Sequence, residues 1–241
     1  LAGGAIVGLL DDIINIRGAG KGVAGLRSSL KFLMIAGLGL GLGWWFHVLL
    51  GVDSLRVPFV GDIALGWLII PLFAFAVVAT GNAVNISDGL DGLAGGLAAI
   101  AFGGFGIIAL LQGNPMIAGF CFTVVGALLS YLWFNIYPAR FFMGDVGSFA
   151  LGASLGVVAM LTNTFLLLPV IGVLFVIEAG SSLIQITSKK FFKKKVFISA
   201  PIHHHLEAIG WPETKVTMRF WVIAAVASFV GVMLALAGGN V

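Results

Sequence analysis

NAVNISDGLDGLAGG, residues 82–96, decides the fold. The residues before it, 62–81, are nearly all apolar, and most of those after it are too. Two asparagines and two aspartates stand among glycines between two apolar runs. Runs of about 20 apolar residues are long enough to cross a bilayer as helices. They are too unbroken for barrel strands, which alternate over about ten residues. The composition agrees: the 241-residue chain is 60% hydrophobic and 10% charged, with mean hydropathy +1.12. A soluble domain is about a quarter charged.

The chain therefore reads as an all-α polytopic membrane protein. Its apolar segments are 1–10, 31–51, 64–84, 93–112, 116–136, 147–163, 165–187 and 219–239. The first is too short to span and reads as the tail of a longer helix, so an N-terminally truncated single transmembrane domain over 1–241 is expected. No basic n-region precedes it and no cleavage site follows, which argues against a signal peptide. No linker or internal repeat is visible, so a transporter built from repeated halves gets no support. Charge inside the spans is also sparse: only Glu178 lies well within one. Cys121, the single cysteine, lies in an apolar run and reads as a small buried side chain.

The cations set the orientation. The connections 11–30, 85–92, 137–146 and 188–218, with their edges, hold Arg17, Lys21, Arg27, Lys31, Arg140, Lys189, Lys190, Lys193, Lys194, Lys195, Lys215 and Arg219. Of the 13 Lys and Arg only Arg56 is elsewhere. The positive-inside rule makes that side cytoplasmic. Asp11, Asp12, Asp88, Asp91, Asp145, Glu207 and Glu213 share it, and so do all histidines except His47.

Four motifs carry chemistry. Asn82, Asn85, Asp88 and Asp91 recur every third residue, which on a helix keeps neighbours near one face; Gly89 and Gly92 suggest that the helix ends there. The stretch is either a polar helix end or a functional wall. In GLLDDIIN, 8–15, the adjacent Asp11 and Asp12 close a helix, where they oppose its macrodipole; such a pair suits a proton acceptor or a metal site. Asp145, between glycines in FFMGDVGSF, is either a helix cap or a hard oxygen ligand for Mg²⁺. In APIHHHLEAIGW, 200–211, Pro201 suits a first helical turn. His203, His204 and His205 point about 100° apart on a helix, and the spacing is not that of a zinc site; hydrogen bonds to phosphate or sugar fit better. RGAGKG, 17–22, is no Walker A loop, because Asn15 and Gly22 stand where it needs Gly and Ser or Thr. KKFFKKK, 189–195, reads as a topology anchor on anionic lipid, and no nucleic-acid partner is expected. Carboxylates, amides, histidines and cations on one membrane face suit a reaction between an anionic nucleotide and a lipid phosphate.

NAVNISDGLDGLAGG, GLLDD, LWFNIYPARFFMGDVGS and PIHHHLEAIGWPETKVTMRFW together resemble the polyprenyl-phosphate N-acetylhexosamine-1-phosphate transferases, over essentially the whole chain. The triple-histidine block followed by LEAIGW is most similar to the branch acting on UDP-N-acetylmuramoyl-pentapeptide. The resemblance implies that this donor reacts with undecaprenyl phosphate, with Mg²⁺, to give lipid I and UMP on the cytoplasmic face of the bacterial inner membrane. It implies ten helices, the segments here being the third to tenth, and a homodimer. It makes Asp145 the Mg²⁺ ligand and Asp11 the base, with Asp12 beside it. It lines the cleft with Asn82, Asn85, Asp88 and Asp91, and the nucleoside pocket with Gly89, Leu90, Asp91, Asn135, Phe142 and Gln185, Phe142 stacking on uracil. Lys31 lies near the phosphates, and His203, His204 and His205 contact substrate. The family's alternative donor is UDP-N-acetylglucosamine.

Overall fold

The computed structural model describes residues 1–18, 28–239 and 241. Lys21, Arg27, the side chain of Arg17 and the RGAGKG stretch from Ala19 onward lie outside the described residues. The helices are α1 (Ala2–Gly18), α2 (Ser28–Val48), α3 (Ile69–Ser87), α4 (Leu93–Leu111), α5 (Pro115–Asn135), α6 (Gly144–Leu161), α7 (Leu168–Ile171), α8 (Val173–Phe191), α9 (Ile202–Ala208) and α10 (Glu213–Ala237). Among the described residues six helices are long and apolar enough to cross a membrane: α2 to α6 and α10. The pair Phe165–Ile171 and Val173–Phe191 makes a seventh if counted as one span.

Two expectations need correction. The first helix does not close at the acidic pair: α1 runs 17 residues to Gly18. Ile13, Ile14 and Ile16 carry the helix past Asp12, and no glycine or proline interrupts it before Gly18. The segment 165–187 is not one straight span, because α7 and α8 meet at Gly172 with an 83° bend. Pro169 in the first turn of α7 and the non-helical Gly172 (φ −100°, ψ 30°) start and end that short helix. The all-α architecture carries one small addition: β1 (Ser54–Val57) pairs antiparallel with β2 (Gly61–Ala64), Arg56 opposite Asp62. Phe59 and Gly61, both at positive φ, turn that hairpin.

Lipid tails are as apolar as leucine, so packing within the bundle comes from close approach of helices rather than from escape from water. α4 is the central helix, its apolar window 78% buried, against α5 on one side and α10 on the other. Leu93, Leu97, Phe102, Phe105 and Ile108 form its core. A second cluster, with Ile35, Phe73, Val77 and Phe149, joins α2, α3 and α6. α6 is wedged between α1 and α3. Two glycine pairs, each four residues apart, allow this. A Cβ on Gly4 or Gly8 of α1 would collide with the α6 backbone at Phe149 or Asp145, and one on Gly152 or Gly156 of α6 with the α3 backbone at Thr80 or Ala76.

Candidate active site

The glycine contact at Gly8 sets the register of α1 on α6, and one turn later it delivers Asp11 and Asp12 to the start of α6. Asp145 lies in the first turn of α6, where the helix dipole favours a carboxylate. Asp12 accepts a hydrogen bond from the Val146 backbone N–H at 3.3 Å. It thus caps α6 from another helix: with α1 running on to Gly18, Asp12 lies clear of its own helix's end and serves its neighbour's start.

Two further helix ends complete the group. Lys31, in the first turn of α2, bridges Asp11 (Nζ to Oδ2, 2.6 Å) and Asp145 (2.9 Å). Asn85, near the end of α3, donates to Asp145 Oδ1 at 2.8 Å and to Ser148 Oγ at 2.9 Å. One carboxylate oxygen from each of Asp11, Asp12 and Asp145 lies within 4.8 Å of the others, a group that could hold a metal ion. Carboxylates this close repel unless a cation stands among them, and here the Lys31 ammonium does.

Asp88 follows the last residue of α3, at φ −84°, ψ 49°, so the helix ends where its glycines suggested. Burial, and then the charge of Asp145, push its carboxyl up to about 6. Asn82 stays apart from the cluster, its side chain donating to the Val78 carbonyl of its own helix at 2.8 Å.

Asp91 is off the helix, in the turn that ends at Gly92 in the left-handed region (φ 74°). Its carboxylate accepts from the Ala139 N–H at 2.9 Å, and its own N–H donates to Glu213 at 2.6 Å. Asn135 accepts from the Gly92 N–H at 3.0 Å and donates to the Phe141 carbonyl at 2.9 Å. Leu90 is buried in the α4 core. Gln185, buried on α8, donates to the Phe197 carbonyl and accepts from the Val196 and Phe197 N–H groups. Asp91, Asn135 and Gln185 thus hold backbone in place. Phe142 presents an open ring, 68% exposed.

The three histidines take different partners, although the His203 and His204 rings stand edge to face at 4.2 Å. His203 is fully buried and pairs through Nδ1 with Glu178 at 2.8 Å. His204 pairs with Glu207 at 2.7 Å, and His205 accepts from the Ile198 N–H at 3.2 Å. A side chain on Gly89 would meet the His203 ring, so the 88–92 turn packs on the histidine through Gly89, while its Asp88 lies within the electrostatic reach of Asp145. The sequence reading missed Ser148, Glu213 and the pairing of Glu178. Glu178 did carry a signal, as the one charge well inside a span.

Residues 1–163 match the model of glycosyl transferase family 4. The chain belongs to glycosyl transferase family 4. Among relatives, it is 41% identical to the phospho-N-acetylmuramoyl-pentapeptide-transferase of Chloroflexus aurantiacus, covering 98% of this chain and 68% of the relative. It is 41% identical to that of Listeria welshimeri (94% and 70%) and 42% identical to that of Bacillus thuringiensis (96% and 71%). The family match takes in α1 to α6, and so Asp11, Asp12, Lys31, Asn85, Asp88 and Asp145.

Proposed function

We propose that the protein, as one transferase domain, moves phospho-N-acetylmuramoyl-pentapeptide from its UDP donor to undecaprenyl phosphate, releasing UMP and giving lipid I for peptidoglycan synthesis. The observation that supports this most is the meeting of Asp11, Asp12, Asp145, Lys31 and Asn85 at one end of a membrane bundle, in a chain whose relatives bear that enzyme's name. An oxygen of the lipid phosphate attacks the sugar-linked phosphorus of the donor, and the bond from that phosphorus to UMP breaks. Asp11 takes the proton of the lipid phosphate, with Lys31 holding the carboxylate and attracting the diphosphate. Asp12 stays on the end of α6 and fixes the approach of α1. Asn85 orients Asp145.

Three carboxylate oxygens this close are hard donors that fit Mg²⁺, with Asp145 as its ligand. Bound there, Mg²⁺ supplies neutralisation of the phosphate oxygens. Asn82 and Asp88 line the cleft. Gly89, Leu90, Asp91, Asn135, Phe142 and Gln185 form the nucleoside pocket, with the Phe142 ring against uracil. His203, His204 and His205 border the substrate. The cation distribution supports a cytoplasmic-facing position for this end of the bundle, in a bacterial inner membrane, and a homodimer is the proposed assembly.

The test is UMP release in the presence of a polyprenyl phosphate and Mg²⁺, with UDP-N-acetylmuramoyl-pentapeptide and UDP-N-acetylglucosamine as parallel donors. Release from the first donor alone, abolished by omitting lipid or metal and by Asp145→Ala, is the expected result. Release from the second donor alone would move the activity to another glycan.

A further inference from the structure

We infer that Glu213, Thr217 and Trp221, one face of α10, are positioning residues that hold the 88–92 turn, and Asp88 with it, in place for transfer. The three are spaced by four, which stacks them on one side of a helix. They take consecutive polar groups of the turn. Glu213 Oε1 accepts from the Asp91 N–H at 2.6 Å, Thr217 Oγ1 donates to the Asp91 carbonyl at 3.2 Å, and Trp221 Nε1 donates to the Gly92 carbonyl at 3.1 Å.

From the other side Asn135 accepts the Gly92 N–H and the Asp91 carboxylate accepts the Ala139 N–H. The two peptide units are thus gripped between α10 and the end of α5. A turn between two spans has no helical ladder to satisfy its backbone, so side chains must do it. Gly96 on α4 makes the grip possible, because any side chain there would overlap the Trp221 indole.

A second stripe fixes where α10 begins. Lys215 and Arg219 stack on the Trp211 ring at 4.4 and 4.6 Å from its centroid. Glu213, in the first turn, also sits where the helix dipole favours its charge. Glu213 acts on the carboxylate cluster through the turn: it accepts from a peptide N–H three residues beyond Asp88.

This inference rests on the transferase reading, and two readouts keep them apart. Purified protein would be compared with Glu213→Ala, Glu213→Gln and Thr217→Val. In hydrogen–deuterium exchange, Glu213→Ala is expected to speed exchange of the amides at 91 and 92 about tenfold or more, the loss of a bond to a charged acceptor. Glu213→Gln, which keeps an acceptor, stays close to the parent. In UMP release, kcat/KM for the UDP donor falls about tenfold with Glu213→Ala, while KM for the lipid phosphate stays within about twofold; Gln restores it. Parent-like exchange in Glu213→Ala overturns the inference, and so does faster exchange with unchanged kcat/KM. If Glu213→Ala fails to fold, Thr217→Val must show the same pattern at lower amplitude, and parent-like values there overturn it. An inactive parent chain sinks the transferase reading, while exchange still reports whether α10 holds the turn.

Discussion

Lys31 is bound to two carboxylates that come from different helices. Replacing it by methionine keeps the apolar stem and removes the cation, leaving Asp11 and Asp145 to repel across a partly buried site. The expected cost is about 1–3 kcal/mol, below the figure for a fully buried pair because water reaches the ammonium. In metal-free buffer Lys31→Met should lower Tm, and millimolar Mg²⁺ should restore most of the loss; an unchanged Tm would contradict the assigned role. Asp88 gives a second prediction. Its carboxyl, pushed up to about 6 by burial and Asp145, is ionised above that pH. If transfer needs the ionised form, kcat/KM falls as pH drops through about 6, and Asp88→Asn removes that limb along with most of the activity. The sign for stability is opposite. A carboxyl easier to protonate when folded favours folding below its ordinary 3.8, and this contribution is lost as pH rises through about 6. At this scale the acids were legible because charge beside apolar spans is costly and therefore informative. Glu213 was not, because its partner is a peptide N–H 122 residues away in the sequence, and nothing in a charged loop marks such a partner.

At the scale of elements, α6 is held through glycines, two on α1 and two of its own. Gly8→Leu would drive a side chain into the Asp145 backbone and pry α1, with Asp11 and Asp12, from α6. Overpacking of this kind costs about 1–3 kcal/mol, and here it also disperses the carboxylates. Gly41→Leu on α2 meets open space and serves as the control. The prediction is loss of UMP release and a lower Tm for the first, parental values for the second. Helix positions were readable from the apolar runs, since a span must satisfy its backbone internally. The bend at Gly172 was not, because apolar residues continue on both sides of it and hydropathy ignores direction. The continuation of α1 past Asp12 was hidden for the opposite reason: charge looks like an ending unless another helix needs it.

The whole molecule places its chemistry at one end. Asp11, Lys31, Asn85, Asp145 and the start of α10 meet there, while the β1–β2 hairpin, with Arg56 paired to Asp62 at 3.1 Å, caps the other. That separation was legible from charge alone, though which residues meet was not. Cys121 is fully buried, so the parent chain offers a quiet background for labelling. With Val60→Cys and Lys194→Cys, both at exposed positions, an impermeant maleimide added outside intact spheroplasts should label only the first. Permeabilised cells should label both. The reverse pattern would place the carboxylates on the wrong side for a soluble nucleotide donor.

The grip of α10 on the 88–92 turn also sets an order of events during synthesis. The ribosome delivers Asp11, Lys31, Asp88 and Asp145 well before residue 213 emerges. A nascent chain at that stage holds every carboxylate of the cluster, but its turn is clasped by α5 alone. If α10 positions the turn as inferred, competence arrives with α10 rather than with the acids themselves. A chain stalled before that point would occupy the membrane with its charges in place and its reaction centre still unset.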